Sequence, residues 1–386
     1  MSFNYAIIGA GRQGVASAYD LVQFGEAAKI YFVDVDSENA SRAAAQVKQL
    51  TGKDICVPVK LSVHDATALH EILRDIHSMI SGVPYYYNLD LTKLAIETST
   101  NMCDFGGNTV VVLQQIELND NAVEKNISVV PDCGMDPGFN ISIIEYLVSK
   151  FDKVEEIKSY GAGLPQNPTP PWNYELTFHV NGLTNEYYGD SIYIRNGDVT
   201  GVPCLTEFEE MDYPGIGKLE AAVTSGGLSV MPYFLKGKVD KLENKTLRYP
   251  GHWQQFKAYS MLGLFETKKI KVGDAEVSPR EFYHTLLEPH IKNNMIKDLG
   301  IIRVGAKGIK NGKPAEYLID VLDYYDEKTG FTAMQRLTGW HASTIAWLAA
   351  KGETKPGVVP VHEAVSGKRI IDEMKKRGII VEETLL

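Results

Sequence analysis

The sequence FNYAIIGAGRQG, residues 3–14, decides the fold of this chain. Its apolar half predicts a buried strand, its glycines predict a tight turn, and residues 15–24 continue with apolar side chains at helical spacing. A strand, a glycine turn and a helix in this order are the fingerprint of a dinucleotide-binding βαβ unit. We expect Gly9 to permit the turn, Gly11 to let the backbone approach a pyrophosphate, and Gly14 to let the helix pack closely on the strand. A purely structural glycine turn is the alternative.

A second apolar run, residues 29–36, predicts the next strand and places Asp34 at its end. A carboxylate at this position accepts hydrogen bonds from the adenosine ribose and repels a 2′-phosphate, so NAD is favoured over NADP. Arg12 either contacts the pyrophosphate or lies in solvent. Arg42, in the following helix, would support NADP, and an ordinary surface position is its alternative.

Composition limits the classes of function. The chain has 386 residues, of which 44% are hydrophobic and 23% charged, and its net charge of −10 argues against nucleic-acid binding. We predict no membrane span, no secretory signal and no metal site, since the four cysteines and nine histidines lack metal-ligand spacing. The expected localisation is therefore cytoplasmic, and the expected assembly is a homo-oligomer, by default a dimer.

Alternating strand and helix patterns in the first third predict an α/β fold with a Rossmann-type, doubly wound parallel sheet over residues 1–140. Residues 141–330 predict an α+β domain for catalysis and oligomerisation, with a mostly antiparallel sheet. Asn-Gly pairs at 181–182 and 196–197 predict hairpin turns there, and residues 161–171 predict a loop. We expect residues 331–386 to form a helical segment that returns to the first domain.

Ligands of such sheets bind at the carboxyl ends of the strands, so the residues at those positions are candidate site residues. Three clusters occupy them, at residues 84–88, 104–107 and 132–138. Each cluster mixes small residues with hydrogen-bonding groups, as expected of a cofactor cleft. The residues predicted to bind the cofactor are Gly9, Gly11, Arg12, Gln13, Gly14, Asp34, Asp65, Pro84, Asn88 and Cys133. Inert core packing is the alternative for Cys133.

The chain resembles the saccharopine dehydrogenase-like superfamily, and within it most of all the lysine 6-dehydrogenase group. The motifs that carry the resemblance are VPYYYN (83–88), CDFGG (103–107), PDCGMDPG (131–138), GLPQ (163–166), TSGGL (224–228) and KTLRYPGH (245–252). The resemblance implies an NAD(P)-dependent oxidoreductase that acts on an amino acid or amine. In the lysine 6-dehydrogenase group the side-chain amine of L-lysine is oxidised to a semialdehyde, which cyclises, and ammonia is released.

Two alternatives stay open. One is a saccharopine-type or polyamine-conjugate enzyme that makes or cleaves a secondary amine with NAD(P). The other is a catalytically silent NAD-binding regulatory protein.

Amine oxidation by hydride transfer needs a neutral nitrogen, so a base must first remove a proton. Asp104, Asp136, Tyr86 and His252 are the predicted catalytic residues. Each has a structural alternative. The two aspartates could cap a helix or turn, Tyr86 could fill the core, and His252 could make a structural hydrogen bond.

Arg248 is the predicted clamp for a substrate carboxylate, because its planar guanidinium makes two hydrogen bonds at once. An interdomain ion pair is the alternative. Lys245 and Tyr249 are the other predicted substrate-binding residues. Side chains alternate along a strand, so Lys245 and Arg248 face opposite sides, and we prefer Arg248.

Overall fold

The computed structural model describes residues 2–293 and 295–386, which form two large sheets and a short two-stranded one. The strands are β1 Phe3–Ile8, β2 Ala27–Asp34, β3 Cys56–Lys60, β4 Ser78–Ser81, β5 Asn101–Asp104, β6 Ser128–Val130, β7 Lys153–Pro165, β8 Asp190–Arg195, β9 Asp198–Pro203, β10 Glu209–Tyr213, β11 Gly217–Val223, β12 Lys241–Arg248, β13 Ile270–Val272, β14 Ala275–Val277, β15 Asp298–Lys310, β16 Lys313–Tyr324, β17 Gly357–Val358 and β18 Val381–Leu385.

Helices cover both faces of the first sheet and support the second. They are α1 Arg12–Phe24, α2 Ser37–Thr51, α3 Ala66–Leu73, α4 Asn88–Thr98, α5 Thr109–Ile116, α6 Asn119–Glu124, α7 Phe139–Val148, α8 Val180–Glu186, α9 Met231–Leu235, α10 His252–Met261, α11 Pro279–Ile291, α12 Ala333–Ala350, α13 Val361–Ala364 and α14 Gly367–Lys376. A short 3₁₀ turn spans Tyr85–Tyr87.

The first sheet has the strand order β3-β2-β1-β4-β5-β6-β17, and all its paired strands are parallel. The order reverses between β1 and β4, which is where doubly wound sheets bind their ligands. The predicted Rossmann-type fold is confirmed. Both faces of the sheet are packed, so β4 is buried throughout and β1 at every residue but one.

The second sheet has the order β10-β11-β12-β7-β15-β16-β18, and the hairpin β8–β9 pairs with β12. Strands β7 and β12 are parallel, whereas the other pairs are antiparallel, so the predicted mostly antiparallel sheet is confirmed. The register places Lys245 opposite Tyr160 and Thr246 opposite Gly161. Thr246 therefore shares a face with Asn244 and Arg248, while Lys245 and Leu247 face the other way.

Two local predictions in this domain are wrong. Asn181 and Gly182 lie inside helix α8 rather than in a hairpin turn, because Val180 and Leu183 pack in an apolar cluster one helical turn apart. Residues 161–165 belong to β7 rather than to a loop, because β15 pairs with all five of them and β12 pairs with Gly161. The turn at residues 196–197 is confirmed, since it joins β8 to β9.

Residues beyond 330 contact both sheets. The Ser17 hydroxyl of α1 donates to the Gly339 carbonyl of α12 at 2.9 Å, and β17 extends the first sheet beside β6. Strand β18 pairs with β16 of the second sheet. The carboxylate of Asp298, at the start of β15, accepts hydrogen bonds from Ala333 N at 2.7 Å and Met334 N at 3.0 Å, so it caps α12.

No helix within the described residues combines the length and apolar character needed to cross a bilayer. In the same part of the chain, no group of three His, Cys, Asp or Glu side chains is placed to hold a metal ion.

Candidate active site

The turn after β1 has the shape that a pyrophosphate requires. Gly9 has φ +104°, and a Cβ there would lie 2.7 Å from the Gly82 carbonyl oxygen. A Cβ on Gly14 would lie 2.4 Å from the Gly9 oxygen, so this glycine permits the contact of α1 with β1. A Cβ on Gly11 would meet no atom of the described residues within 4 Å, and no side chain caps α1 there. The amino end of α1 thus faces open space, which fits a bound dinucleotide phosphate.

Asp34 ends β2 beside this turn. Its Oδ2 accepts a hydrogen bond from Ala10 N at 2.9 Å, and its Oδ1 accepts one from Asp36 N at 2.9 Å. The carboxylate is therefore fixed next to the glycine turn. Arg42 donates to Asn39 Oδ1 at 2.6 Å on the surface of α2, which favours its alternative as an ordinary surface arginine.

Arg12 and Gln13 begin α1. The Arg12 carbonyl accepts a hydrogen bond from Gln335 Nε2 at 3.0 Å, and the Arg12 charge lowers the pKa of Asp298, which burial raises to about 6. Arg12 therefore lies where α1 meets α12, and it is not simply a solvent-exposed side chain. Gln13 Oε1 is buried with no hydrogen-bond partner among the described residues.

The other predicted cofactor contacts differ in their exposure. Asp65 caps α3 by accepting from Ala68 N at 3.1 Å, which favours a local structural role. Pro84 precedes the 3₁₀ turn, and Asn88 is buried, with its Oδ1 accepting from the Ser81 hydroxyl at 2.7 Å. Tyr86 is 59% exposed, so it is not core filling, and its ring packs on that of Tyr87 with centroids 4.5 Å apart.

Asp104 is fully buried at the end of β5. Its Oδ1 accepts from Gly106 N at 2.8 Å and from Asp132 N at 3.1 Å, and its Oδ2 accepts from Gln115 Nε2 at 3.0 Å. Burial raises the pKa of this carboxyl. These contacts favour its structural alternative, because the carboxylate already joins the ends of β5 and β6 and has no exposed oxygen.

Asp132 is a second buried carboxyl at the end of β6. Burial and the nearby charge of Asp104 raise its pKa to about 7. The neighbouring Cys133 thiol is fully buried and directed at the Val130 carbonyl at 3.2 Å, and burial raises its pKa well above the usual range. These contacts favour inert core packing for the Cys133 side chain, and only its backbone lies at the strand end.

Asp136 joins the two sheets. Its Oδ1 accepts from Asn140 Nδ2 at 2.7 Å and from Asn244 Nδ2 of β12 at 2.9 Å. A Cβ on Gly161 would lie 2.0 Å from Asp136 Oδ2, and one on Gly227 would lie 2.6 Å from Oδ1, so these glycines make room for the carboxylate. Burial raises the pKa of Asp136 to about 7.

Arg248 lies on the same face of β12 as Asn244. Its Nε donates to the Tyr187 hydroxyl at 3.0 Å and its Nη1 to the Leu247 carbonyl at 3.1 Å. Nη2 faces Glu186 Oε2 at 3.7 Å, which is longer than a hydrogen bond. The guanidinium also packs against the ring of Tyr174 at 5.0 Å. Two of its three nitrogens are thus held by protein groups, and the third faces an acid across a gap.

The remaining predicted residues lie elsewhere. His252 stacks on Phe256, and its Nε2 lies 3.0 Å from the Tyr187 hydroxyl, which favours its alternative as a structural histidine. Lys245 donates to Glu209 and to the Glu207 carbonyl on the opposite face of the sheet. The Tyr249 hydroxyl donates to the Pro165 carbonyl at 3.0 Å and also lies away from Arg248. Proton transfer by His252 and substrate binding by Lys245 and Tyr249 are therefore not supported.

Two family models match almost the whole chain. One, described as the saccharopine dehydrogenase NADP binding domain, matches residues 5–130, and the other, described as the saccharopine dehydrogenase C-terminal domain, matches residues 130–379. The chain belongs to the saccharopine dehydrogenase family. The predicted resemblance is confirmed at the level of this family, and membership supports the predicted class of NAD(P)-dependent oxidoreductase.

Within the saccharopine dehydrogenase family the similarity to individual proteins is low. A saccharopine dehydrogenase (NADP(+), L-glutamate-forming) of Saccharomyces cerevisiae is 24% identical over 243 residues, which are 60% of this chain and 54% of the relative. A carboxynorspermidine synthase of Vibrio cholerae is 23% identical over 290 residues, 72% of this chain and 68% of the relative. The chain thus spans about half the length of the first of these relatives.

A solved structure shares the fold over its full length. The apo, histidine-tagged saccharopine dehydrogenase (L-Glu forming) from Saccharomyces cerevisiae superposes with a TM-score of 0.80 at 18% identity and covers 100% of both chains. This similarity agrees with the two-sheet architecture of the family.

Sequence reasoning missed one residue beside Arg248, Glu186. Glu186 ends α8, and burial raises its pKa to about 7, with the Asp136 charge raising it further and Arg248 opposing the shift. Glu186 is more than 45 residues from every quoted motif except TSGGL and GLPQ, and no local pattern marks it. Only the fold brings it to Asp136 and Arg248.

Proposed function

We propose that this chain catalyses the NAD-dependent oxidation of the side-chain amine of L-lysine. The product semialdehyde cyclises with the α-amino group, and ammonia is released. The observation that carries the proposal is that the Arg248 guanidinium lies 3.7 Å from Glu186, a carboxyl whose pKa burial raises and the charge of Asp136, which follows β6, also raises. Guanidinium and carboxyl groups together suit a substrate that carries both a carboxylate and amino groups.

Glu186 is the proposed base. A carboxyl with a pKa of about 7 is partly ionised at neutral pH and is basic enough to accept a proton from the substrate ammonium. Loss of that proton gives the neutral amine, the amine-bearing carbon then loses a hydride, and water adds to the resulting iminium. Asp136, fixed by Asn140 and Asn244, stabilises the positive charge of the iminium.

Arg248 is the proposed carboxylate site. Its Nη2 faces Glu186 at 3.7 Å, so a substrate carboxylate can take this donor while Glu186 turns to the amine.

The open space at Gly11 and the amino end of α1 fit a dinucleotide, and Asp34 supports NAD as the preferred form. The bound nicotinamide supplies the hydride acceptor. The balanced reaction consumes the lysine ammonium ion, NAD⁺ and water, and it yields the semialdehyde, ammonium, NADH and one proton. A cytoplasmic homodimer stays a prediction from the sequence.

A saccharopine-type oxidoreductase is the second candidate. It is favoured by the names of the yeast and Vibrio relatives, which refer to saccharopine and carboxynorspermidine. The same residues would serve it, because a secondary amine also needs a base and a carboxylate clamp.

The test is an assay of the purified protein with NAD and NADP against L-lysine, saccharopine and a carboxylated polyamine, read at the absorbance of the reduced nicotinamide. We expect turnover with lysine and NAD, with kcat/KM rising as pH passes through about 7, since Glu186 is ionised above its pKa. Glu186→Gln should lower kcat strongly, because the base is lost, and leave NAD binding unchanged. Turnover only with saccharopine or the polyamine would reject lysine, and nucleotide binding without any turnover would favour the silent NAD-binding protein.

A further inference from the structure

A chain of hydrogen bonds runs from Arg248 into the core of the second domain. Arg248 Nε donates to the Tyr187 hydroxyl at 3.0 Å, and the same hydroxyl lies 3.0 Å from His252 Nε2. A guanidinium can only donate, so the Tyr187 oxygen is the acceptor in the first bond. Its own proton is then free for the second bond, in which His252 Nε2 is the acceptor.

This direction requires a neutral imidazole with Nε2 unprotonated. Burial and the neighbouring Arg248 charge keep the His252 pKa well below the usual value, so the ring is neutral, and we assign its proton to Nδ1 so that Nε2 is the acceptor. Its ring stacks on Phe256 with centroids 4.2 Å apart and meets the edges of Tyr174 and Trp253, both at 5.2 Å. The imidazole is therefore fixed in orientation and enclosed by aromatic rings.

The direction of the Tyr187 proton decides where the phenol oxygen lone pairs point. With the proton on the His252 side, a lone pair faces Arg248 Nε, and the guanidinium plane is held by this bond and by the Leu247 carbonyl. Nη2 is then left facing Glu186. Loss of the His252 acceptor would leave a buried phenol proton unsatisfied, and the phenol would turn to find another partner.

We propose that His252, acting through Tyr187, is a positioning residue that orients the Arg248 guanidinium for the substrate carboxylate. The inference rests on the proposed function, in which Arg248 binds that carboxylate. It assigns His252 no contact with substrate and no proton transfer in the reaction. It also gives a reason for a histidine at this position, since a purely apolar ring would fill the same space without accepting the Tyr187 proton.

Three substitutions separate positioning from simple packing. Tyr187→Phe removes the hydroxyl from the chain and keeps the ring. His252→Phe keeps an aromatic ring on Phe256 and removes the acceptor, whereas His252→Gln retains a side-chain oxygen that can accept from Tyr187. We expect Tyr187→Phe and His252→Phe to raise KM for lysine by about tenfold or more, with a smaller change in kcat, because a hydrogen bond to a charged group is involved. His252→Gln should recover most of the lost affinity.

The measurement specific to positioning is the KM for an amine that has no carboxylate. 1,5-Diaminopentane has the carbon chain and both amino groups of lysine but lacks the carboxylate that Arg248 would bind. KM for this diamine should be unchanged in all three variants, and so should the Kd for NAD. A general distortion of the site would affect the diamine and lysine equally.

Tyr213→Phe is the matched control, since the Tyr213 ring packs at 4.4 Å on the guanidinium of Arg303 and its hydroxyl donates to Asp320 at 3.0 Å. This variant also removes a phenol hydroxyl beside an arginine, but the arginine is not Arg248. The KM for lysine should therefore not change.

Two failures are distinguishable. If Arg248→Lys raises KM for lysine but Tyr187→Phe and His252→Phe do not, the positioning role is overturned and the carboxylate site stands. If Arg248→Lys leaves KM unchanged for every active amino acid, the proposed carboxylate site itself is wrong.

Discussion

In the proposed function, nucleotide choice depends on Asp34. Its two oxygens already accept from Ala10 N and Asp36 N, so its negative charge is held beside the position where an adenosine ribose would lie. We expect Asp34→Ser to lower the ratio of kcat/KM with NAD to that with NADP by at least about tenfold, because a 2′-phosphate no longer meets a like charge.

The control is Asp36→Ser, two residues further on. Asp36 is exposed and caps α2 by accepting from Glu38 N at 2.8 Å, a role that serine also fills. Steady-state kinetics with both nucleotides should show an unchanged preference in this variant. An Asp34→Ser protein that still refuses NADP would show that nucleotide choice is made elsewhere.

Single residues also show what sequence reasoning can and cannot reach. The alternation of side chains along a strand predicts that Lys245 and Arg248 face opposite sides of the sheet, and in the structure they do. The roles of Asp104 and His252 could not be predicted, because a carboxyl or imidazole at a strand or helix end has the same local sequence whether it faces the cleft or the core. Burial decides between the two, and burial is a property of the whole fold.

The position of helix α1 depends on glycine residues, which have no side chain to hold the helix away from β1. Gly14→Ala should push α1 away from β1, since its Cβ would lie 2.4 Å from the Gly9 oxygen and 2.8 Å from Ile7 Cγ2. We expect a loss of about 1–3 kcal/mol in the free energy of unfolding, measured by urea denaturation.

Gly11→Ala, three residues earlier, is the matched variant. Its Cβ meets no described atom within 4 Å and its φ of −77° suits alanine, so stability should stay within about 0.5 kcal/mol of the parent. The Kd for NAD, measured by calorimetry, should rise by at least about tenfold, because the methyl group occupies the space in front of the helix. Unchanged NAD binding would remove Gly11 from the nucleotide site.

At the level of elements, strand and helix assignments succeeded where periodicity was strong and failed where turn chemistry dominated. Strands β1 and β2 form where the two apolar runs predict them, and Asp34 ends β2. Residues 161–165 were assigned to a loop because glycine and proline are frequent there, whereas β12 and β15 supply backbone partners from distant parts of the chain. Such partners leave no local signal.

A buried ionic cluster joins the end of α14 to α1 and α12. Arg377, after α14, donates from Nε to Asp20 Oδ1 of α1 at 2.9 Å and from Nη1 to Glu373 Oε2 at 3.0 Å, and Ser343 of α12 donates to Asp20 at 2.6 Å. Arg377→Met leaves the buried Asp20 carboxylate without its cation, whereas Glu373 keeps Arg369 and Lys376. We therefore expect the free energy of unfolding, measured in urea, to fall by about 3–5 kcal/mol.

Arg369→Met is the surface control on the same helix. Arg369 pairs with Glu353 and Glu373 at the edge of α14, where partial exposure limits such pairs to about 0–1 kcal/mol. Combining Arg377→Met with Asp20→Asn should restore part of the lost stability, since one orphaned charge is removed. Equal losses for Arg369→Met and Arg377→Met would contradict a special role for the buried cluster.

The place of β17 in the first sheet has a consequence for biosynthesis. This strand, Gly357–Val358, pairs with β6 but is translated only after every strand of the second sheet except β18. A nascent chain whose first six strands have already folded therefore presents the open hydrogen-bonding groups of β6 while some two hundred further residues leave the ribosome. During that interval the unpaired edge is the point most vulnerable to aggregation, and a chaperone that covers it would raise the yield of native protein.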